Sequence, residues 1–382
     1  MRVVHRGFDT LHLSIQKSIP PDLLEYLAAQ KEAAEGTREA VAVTFNGTDF
    51  NLAPYGGKGY SFLLEDGPLG AQWAFKKPNP KDPWGVRVAI GSTFLATQGL
   101  GEVRAYIADT MDALGMPFKT DQVSIGRADF CVDILAPDFE LEPENFAMRS
   151  PTNRADHHAG TPDTRSNGKS GRYTSVTVGK MPGRQVIIYD KRAQIIAQDK
   201  PIWWDIWAAN LAGDGLPPLD RSDAAESRVW RIEVRAGKSL LKDRWQVRTW
   251  ADFDARLGDI MAEAFEKVQY KEPDVFDTNR SGWPVAPIWA LAHQAVLDDL
   301  TELRSYMDAP TAKDVYREEQ IRILQAQVLG NAITLAALRG IPQEALGNEI
   351  DVMAHVLKSE IVADPDRAKR KLLEAENRYR FI

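Results

Sequence analysis

Three segments in the middle of the chain alternate apolar and ionisable residues, and no other feature of the sequence limits the fold as strongly. A period of two is typical of a β-strand with one face on a core and the other face open. In the segment 126–134 the open face carries Arg127, Asp129, Cys131 and Asp133, and the other face is apolar. The pattern predicts a strand that concentrates charge on one side of a sheet.

Two later segments repeat this pattern. The segment 230–235 carries Arg231, Glu233 and Arg235 on its polar face, and the segment 186–191 carries Tyr189 and Lys191. If the three strands lie in one sheet with their polar faces aligned, then carboxylates, a phenol and several cations share one surface. The alternative is a solvated sheet face with cross-strand ion pairs between these arginines and acids.

The remaining sequence predicts an α+β fold. Strands are predicted at 11–15, 40–45, 60–64, 73–75, 86–90, 123–135, 173–178, 185–189 and 229–235, with helices at 21–34 and 100–114. Beyond residue 250 the pattern is helical, at 253–267, 288–307, 312–329, 332–338 and 343–357, followed by a charged tail. We therefore predict an antiparallel sheet domain over 1–250 and a helical domain over 251–382. Repeated ferredoxin-like or RRM-like units are one candidate arrangement of the sheet.

Two stretches interrupt the sheet domain. Residues 149–171 are rich in Ser, Thr, Asn, Gly and Pro and predict a mobile loop that contains the adjacent pair His157 and His158. We expect this pair to be solvated rather than to bind metal. Residues 203–226 are predicted to be an insertion that begins with several tryptophans. These could stack on DNA bases, but tryptophans are more often core residues.

Charge is distributed unevenly along the 382 residues, whose net charge is −7. Residues 165–192 contain seven basic residues and one acid, and residues 228–248 contain seven basic residues and two acids. A basic surface on an acidic protein would confine a polyanion to one place, although two solvated loops would have the same composition. The candidate DNA-binding residues are Arg127, Arg172, Lys180, Arg184, Arg192, Arg235 and Lys238.

The single cysteine, Cys131, excludes an internal disulfide and a cysteine-based zinc site, and it is consistent with a reducing cytoplasm. No continuous apolar run approaches the ~18 residues of a membrane helix, so we expect a cytoplasmic protein with no membrane association. The loop Gly56-Gly57-Lys58-Gly59 predicts a hairpin turn whose backbone could approach a phosphate.

The acids of the alternating strands suggest metal chemistry. Carboxylates are ligands for Mg²⁺ or Mn²⁺, and such an ion can polarise a phosphodiester. Asp129 and Asp133 would stand ~13 Å apart on one strand, too far to share an ion. Asp129 is favoured because Arg127-x-Asp129 repeats the arrangement of Arg231-x-Glu233, and Asp133 remains a second candidate. A phenol beside this ion could attack phosphorus if its neighbours favoured the phenolate.

These motifs resemble the replication initiation factor family of plasmids and phages, of the Rep_trans type. The resemblance rests on Arg127-x-Asp129-x-x-x-Asp133, on Val186-Ile-Ile-Tyr189-Asp190-Lys191 and on Val229-Trp-Arg231-x-Glu233-x-Arg235, together with the opening Gly7-Phe8-Asp9-Thr10-Leu11. It runs in order from about residue 8 to about residue 242. The insertion at 203–226 and the C-terminal helices have no counterpart in the motifs.

The resemblance implies a rolling-circle replication initiator, a metal-dependent endonuclease and strand transferase that forms a 5′-phosphotyrosine intermediate. Tyr189 would be the nucleophile, Asp129 and Glu233 would hold Mg²⁺ or Mn²⁺, and Lys191 and Arg231 would be catalytic contacts of the phosphate or of the transition state. The implied partners are single-stranded or hairpin origin DNA, with a host helicase, a polymerase and a second copy in a homodimer as further candidates. A relaxase of an integrative conjugative element and a noncatalytic DNA-binding regulator remain the alternatives.

Overall fold

The computed structural model describes residues 1–148, 164–297, 300 and 303–382 of the chain. Thirteen strands lie in the described part: β1 Arg2–Ile15, β2 Val41–Phe45, β3 Thr48–Leu52, β4 Phe62–Glu65, β5 Ala71–Phe75, β6 Val86–Ile90, β7 Val123–Leu135, β8 Phe146–Met148, β9 Thr164–Lys169, β10 Arg172–Gly179, β11 Arg184–Asp190, β12 Val229–Gly237 and β13 Val268–Tyr270. Nine α-helices lie there too: α1 Pro21–Thr37, α2 Ser92–Ala113, α3 Lys191–Ala197, α4 Ile202–Gly213, α5 Trp250–Lys267, α6 Pro287–Ala295, α7 Ala309–Leu338, α8 Leu346–Ala363 and α9 Pro365–Arg378.

Eleven of the strands form one antiparallel sheet in the order β2-β3-β4-β5-β6-β1-β7-β12-β11-β10-β9, and β8 pairs with β13 in a separate ribbon. The two long strands β1 and β7 are central, because β1 pairs with β6 on one side and with β7 on the other. The α+β prediction with an antiparallel sheet and a helical C-terminal part is confirmed.

Four helices, α1, α2, α5 and α6, cover the apolar face of the sheet. Their buried side chains belong to the same core as the strands. Phe253 of α5, for example, lies 6.2 Å from Phe8 of β1, measured between ring centroids. The predicted boundary at residue 250 thus falls inside a continuous packing layer, and the division into two units remains a prediction.

The opposite face of the sheet is polar, and α4 covers one end of it. Trp203, Trp204 and Trp207 of this helix are buried in a second core with Val4 and Met307. The tryptophan-rich stretch therefore forms core structure. Burial leaves no ring face of these side chains for stacking on DNA bases.

The structure differs from the sequence prediction where local composition is misleading. β3 has no counterpart among the predicted strands, because its residues Thr-Asp-Phe-Asn-Leu include turn formers. β9 lies in the stretch 149–171 that predicts a loop, and its polar residues are held by backbone pairing with β10. Residues 149–163, which include His157 and His158, lie outside the described part of the chain.

The helical region is also corrected. The predicted helix 288–307 ends at Ala295, and the tail after Asp364 forms α9. The predicted helices 312–329 and 332–338 form the single helix α7, which continues through Gly330 and Asn331. As one helix, α7 is long and apolar enough to cross a membrane, with a mean hydropathy of 1.3 over 18 residues. This corrects the expectation that no segment approaches that length, but one such helix is weak evidence of a membrane span.

Because α5 packs in the core of the sheet, replacing the buried Phe253 of this helix should destabilise the whole sheet. Phe253→Ala is expected to lower the free energy of unfolding by about 3 to 5 kcal/mol, because it removes a fully buried phenyl group and leaves a cavity. Urea denaturation followed by circular dichroism measures this loss. Phe276→Ala is the matched control, since Phe276 is 96% exposed and its loss should cost less than ~0.5 kcal/mol. Equal effects of the two substitutions would contradict the shared core.

Candidate functional site

The strand register brings the three alternating segments together. β12 lies between β7 and β11, and Arg231 is paired with Asp133 on one side and with Tyr189 on the other. Two residues further along β12, Glu233 is paired with Cys131, and two further still, Arg235 is paired with Asp129. Directly paired residues project from the same face of a sheet. The ionisable side chains therefore share one face, as the alternation predicts.

Arg231 is the centre of the first ionic cluster. Its guanidinium is fully buried and donates from Nε to Asp133 Oδ1 at 2.5 Å, from Nη2 to Asp133 Oδ2 at 2.8 Å, and from Nη1 to Asp9. Trp207 Nε1 donates to Asp133 Oδ2 at 2.9 Å. Burial by itself would raise the pKa of Asp133, but the ion pair with Arg231 holds that pKa below its ordinary value. Asp133 is thus fully engaged by protein donors.

A second cluster contains the other two acids. Arg127 Nε lies 3.0 and 2.8 Å from the two carboxylate oxygens of Asp129. Arg235 Nε lies 2.6 Å from Glu233 Oε1 and 3.9 Å from Asp129 Oδ2. Burial raises the pKa of Asp129 to about 7, the hydrogen bond from Arg127 opposes this rise, and the charge of Glu233 adds to it. Asp129 and Glu233 therefore share one cation, whereas Asp133 belongs to the Arg231 cluster.

Tyr189 is half-buried on β11, and its hydroxyl makes no hydrogen bond within the described part of the chain. Burial raises the pKa of its phenol above the ordinary value, Arg231 opposes that rise, and Glu233 reinforces it. The phenol is accordingly neutral at pH 7 in the free protein. It becomes a nucleophile only if binding of a substrate assists loss of its proton.

Lys191 is the first residue of α3 rather than a strand residue, because the side chain of Asp190 caps this helix at the Ala193 amide. Its buried ammonium still reaches the site. Nζ donates to Gln194 Oε1 at 2.8 Å and lies 5.8 Å from the ring centroid of Tyr189. Burial lowers the pKa of Lys191 to about 8, and the charge of Arg231 contributes to this lowering.

The candidate DNA-binding cations divide between several places. Arg127 and Arg235 lie on the polar face beside the acids, and Lys180 and Lys238 are exposed. Arg192 packs over Trp204 and donates to Ser227 at 3.0 Å, away from the acids.

Two of these cations lie on the apolar side of the sheet. Arg172 lies 5.9 Å from the ring centroid of the core residue Trp230, and Arg184 interacts with Glu263 of α5. Arg184 is an odd number of residues from Tyr189 on the same strand, so its side chain must face the other way. Clustering along the sequence does not imply clustering in space.

Three residues near the site are not among the predicted site residues. Asp9 reaches Arg231 because β1 is bulged between Phe8 and Thr10, which breaks the strict alternation. His5 is buried, packs edge-on against Trp203 at 5.2 Å, and neither ring nitrogen has a partner among the described residues. Burial lowers the pKa of His5 to about 4. His12 is paired with Arg127 on the neighbouring strand. Of these three residues, only Asp9 could have been predicted from the sequence, because it lies in the opening motif of the family resemblance.

The acids of the second cluster fit a metal ion only in part. No group of three or more His, Cys, Asp or Glu side chains in the described ranges is arranged to hold a metal. Asp129 and Glu233 provide two carboxylates, and the guanidinium of Arg235 lies within 4 Å of both. Mg²⁺ is commonly bound by one or two carboxylates together with substrate phosphates. The pair fits this mode of binding, in which a substrate completes the site.

The buried ammonium of Lys191 predicts an unusual dependence of stability on pH. Its pKa is about 8 in the folded chain against an ordinary 10.5, so the unfolded chain binds more protons between these values and stability rises with pH. The free energy of unfolding of the wild type should gain roughly 2 kcal/mol relative to Lys191→Met between pH 8 and pH 10. Urea denaturation at several pH values measures this difference.

Lys200→Met is the control, because Lys200 follows α3 but is exposed. Its difference from the wild type is expected to stay constant over the same range. Parallel curves for the wild type and Lys191→Met would show that the ammonium of Lys191 is not held in an unfavourable environment.

Comparison with known proteins gives little further information. No protein-family model and no curated protein matches this chain. Among solved structures, a rolling circle replication initiator protein from Geobacillus stearothermophilus is similar over 78% of this chain and 97% of its own chain, with 16% sequence identity and a TM-score of 0.39. This structural similarity is too weak to indicate a function. Any function of the chain has to be supported by the geometry of the site.

Proposed function

We propose that this chain is a metal-dependent enzyme that nicks and rejoins single-stranded DNA, as a rolling-circle replication initiator does, with Tyr189 as nucleophile. One observation supports this most directly. A phenol without a hydrogen-bonding partner in the described residues lies beside Arg231 and diagonally from Glu233, on the polar face of the sheet. Structural ion pairs alone would not require a half-buried phenol at this place.

In the proposed reaction the phenol oxygen of Tyr189 forms a bond to the scissile phosphorus. The bond from phosphorus to the 3′ oxygen breaks, so the DNA 5′ phosphate stays on the tyrosine and a 3′ hydroxyl leaves with a proton. Attack by the 3′ hydroxyl of a second strand reverses the step and joins the strands. Because no net hydrolysis occurs, the phosphodiester energy is retained in the tyrosyl ester.

Arg231 and Lys191 support the phenol in this proposal rather than contacting the phosphate. Both are buried, and each guanidinium nitrogen of Arg231 already donates to Asp133 or Asp9. The positive charge of Arg231 favours the phenolate of Tyr189. Lys191 lies beneath the same ring. They are positioning residues, which revises the phosphate contacts that the family resemblance implies.

Asp129 and Glu233 are the proposed ligands for Mg²⁺ or Mn²⁺. When bound, such an ion would polarise the phosphodiester and offset the charge that develops on it. Burial raises the pKa of Asp129 and so disfavours its charged form in the free protein, which a bound cation would stabilise. Arg127 orients this carboxylate through hydrogen bonds to both of its oxygens. Asp133 is not a proposed ligand, because its two oxygens are held by Trp207 and by the fully buried Arg231, whereas the Arg127 that contacts Asp129 is partly exposed.

The nucleophile is tested by Tyr189→Phe, which removes one oxygen atom and leaves the packing intact. After incubation with Mn²⁺, the wild type should form a covalent adduct with labelled single-stranded DNA from the region that flanks its own gene. Denaturing electrophoresis would show this adduct. The variant should form none, while binding the same DNA with unchanged affinity. Tyr173→Phe, on the neighbouring strand β10, is the matched control and should keep the adduct. If no chain forms an adduct but all bind equally, the noncatalytic regulator is favoured.

The metal site gives a separate prediction. EDTA should abolish nicking and Mn²⁺ should restore it. Asp129→Asn and Glu233→Gln should each lower the nicking rate at least 100-fold, which corresponds to about 2.7 kcal/mol in activation free energy. They should also weaken Mn²⁺ binding in the presence of DNA, measured by electron paramagnetic resonance.

Asp133→Asn is the control for the metal experiment, because it removes a buried acid of the other cluster. It is expected to lower stability by roughly 3 to 5 kcal/mol, since it leaves the buried Arg231 short of a partner, but to leave Mn²⁺ affinity unchanged. Nicking that persists in EDTA would exclude the proposed role of Asp129 and Glu233.

A further inference from the structure

The polar face of the sheet extends beyond β1 onto β6, β5, β4 and β3. The register places His12 beside Ala89, Ala89 beside Gln72, and Gln72 beside Glu65. Two adjoining cavities open on this part of the face. One has a volume of about 610 Å³ and is lined by Thr10 and His12 together with the C-terminal residues Tyr379 and Phe381, and the other has a volume of about 360 Å³ and is lined by Lys58 and Arg87. Together they form a trough that leads away from the candidate site.

Cations gather where the two cavities adjoin. Arg87 Nη2 lies 3.4 Å from His12 Nδ1, and neither Arg87 nor Lys58 forms an ion pair with a carboxylate in the described part of the chain. Burial lowers the pKa of His12 to about 4, and Arg87, Arg127 and Lys58 each contribute to this lowering. Three positive charges therefore converge on one neutral imidazole. Of the three, only Arg127 is ion-paired within the described ranges, with Asp129.

The backbone at Lys58 is a second, independent observation. Gly57 and Tyr60 exchange backbone hydrogen bonds of 3.0 and 2.9 Å, so Lys58 and Gly59 are the central residues of a two-residue hairpin turn. Their φ values are 53° and 85°, both in the left-handed region. Such turns strongly favour Asn-Gly, and a lysine in the left-handed region costs roughly 1 to 2 kcal/mol. A strained residue that carries an unpaired charge suggests a functional role.

We infer that Lys58, Arg87 and His12 form a second phosphate-binding site, which holds a single-stranded DNA segment at a distance from the nucleophile. The assignment of DNA as the ligand rests on the proposed function. Arg87 is two strands and four residues from Asp129, so with strands ~4.8 Å apart and a rise of ~3.3 Å per residue their backbones are roughly 16 Å apart. A strand bound at both places would lie along the trough.

The chemistry of the cavity agrees with this ligand. Its volume of about 360 Å³ lies within the range of small-molecule pockets and leaves room for an unstacked base beside the phosphate. Gln72 and Asn51 supply amide groups for the edge of a base, and Leu63 and Ala74 supply an apolar surface. Glu65 is the opposing charge in this lining, and it restricts an anion to the end where Lys58 and Arg87 lie.

The effect of the two cations on DNA binding is measurable with the full chain and a fluorescein-labelled single-stranded oligonucleotide of mixed sequence, by fluorescence anisotropy over a range of salt concentrations. Lys58→Asn and Arg87→Gln should each weaken binding severalfold. Each should also reduce the slope of log K against log salt by about 0.7, because each removes one cation that neutralises a phosphate. Lys58→Asn also creates an Asn-Gly turn, so its stability should equal or exceed that of the wild type. Binding and stability would then change in opposite directions, which a folding defect cannot produce.

Arg256→Gln is the matched control, because Arg256 lies on α5, which packs against the opposite face, and its removal changes the net charge equally. Affinity and slope that match the control in both variants would overturn the site. Tighter binding of RNA than of DNA of the same sequence would overturn its assignment to DNA. If the wild type fails to nick DNA but binds it through Lys58 and Arg87, the proposed enzyme activity would be contradicted and the second phosphate-binding site would be supported.

Discussion

The buried guanidinium of Arg231 connects the elements on which the site depends. It forms an ion pair with Asp133 on β7 and with Asp9 on β1, and it lies 4.2 Å from the ring centroid of Trp203 on α4. A charge removed from water is tolerated only when its hydrogen-bonding groups are matched, so these partners restrict how the strands and α4 can pack. Tyr189, on the next strand, takes its position from its pairing with Arg231.

Several ionisable groups on this one face lie in electrostatically unfavourable surroundings. Lys191 has a lowered pKa, Asp129 has a raised pKa, and His5 is buried with both ring nitrogens unmatched among the described residues. Each costs stability that an apolar residue would not. Perturbed groups of this kind accumulate where a protein binds or transforms a ligand, although ion-pair networks also perturb pKa values. Of these groups, Lys191 lies beside the phenol of Tyr189, with its ammonium 5.8 Å from the ring centroid, and a purely structural network has no need of such a residue.

The two ionic clusters have different roles: the Arg231 cluster stabilises the packing around Tyr189, and the second cluster contains the proposed metal ligands. In the Arg231 cluster Arg231 and Asp133 are buried and matched, whereas Asp129 and Glu233 share Arg235, which is partly exposed. A cation that replaced Arg235 between these acids would contact two carboxylates and would still be accessible to a ligand from solvent. The trough that continues toward Arg87 starts from the same face. A nucleic acid strand could therefore contact both places without entering the core.

Alternation along each strand was sufficient to determine the α+β class and to place Asp129, Glu233 and Tyr189 on polar faces, because a period of two is a local property of the chain. It was not sufficient to decide which acids meet. Asp129 and Asp133 lie on the same face of β7. Only the register between β7 and β12 places Asp129 beside Arg235 and Asp133 beside Arg231. The bulge that brings in Asp9 and the convergence of Lys58 and Arg87 on His12 likewise depend on register between distant strands. Register is set by packing across the whole sheet, and no segment of the sequence contains that information alone.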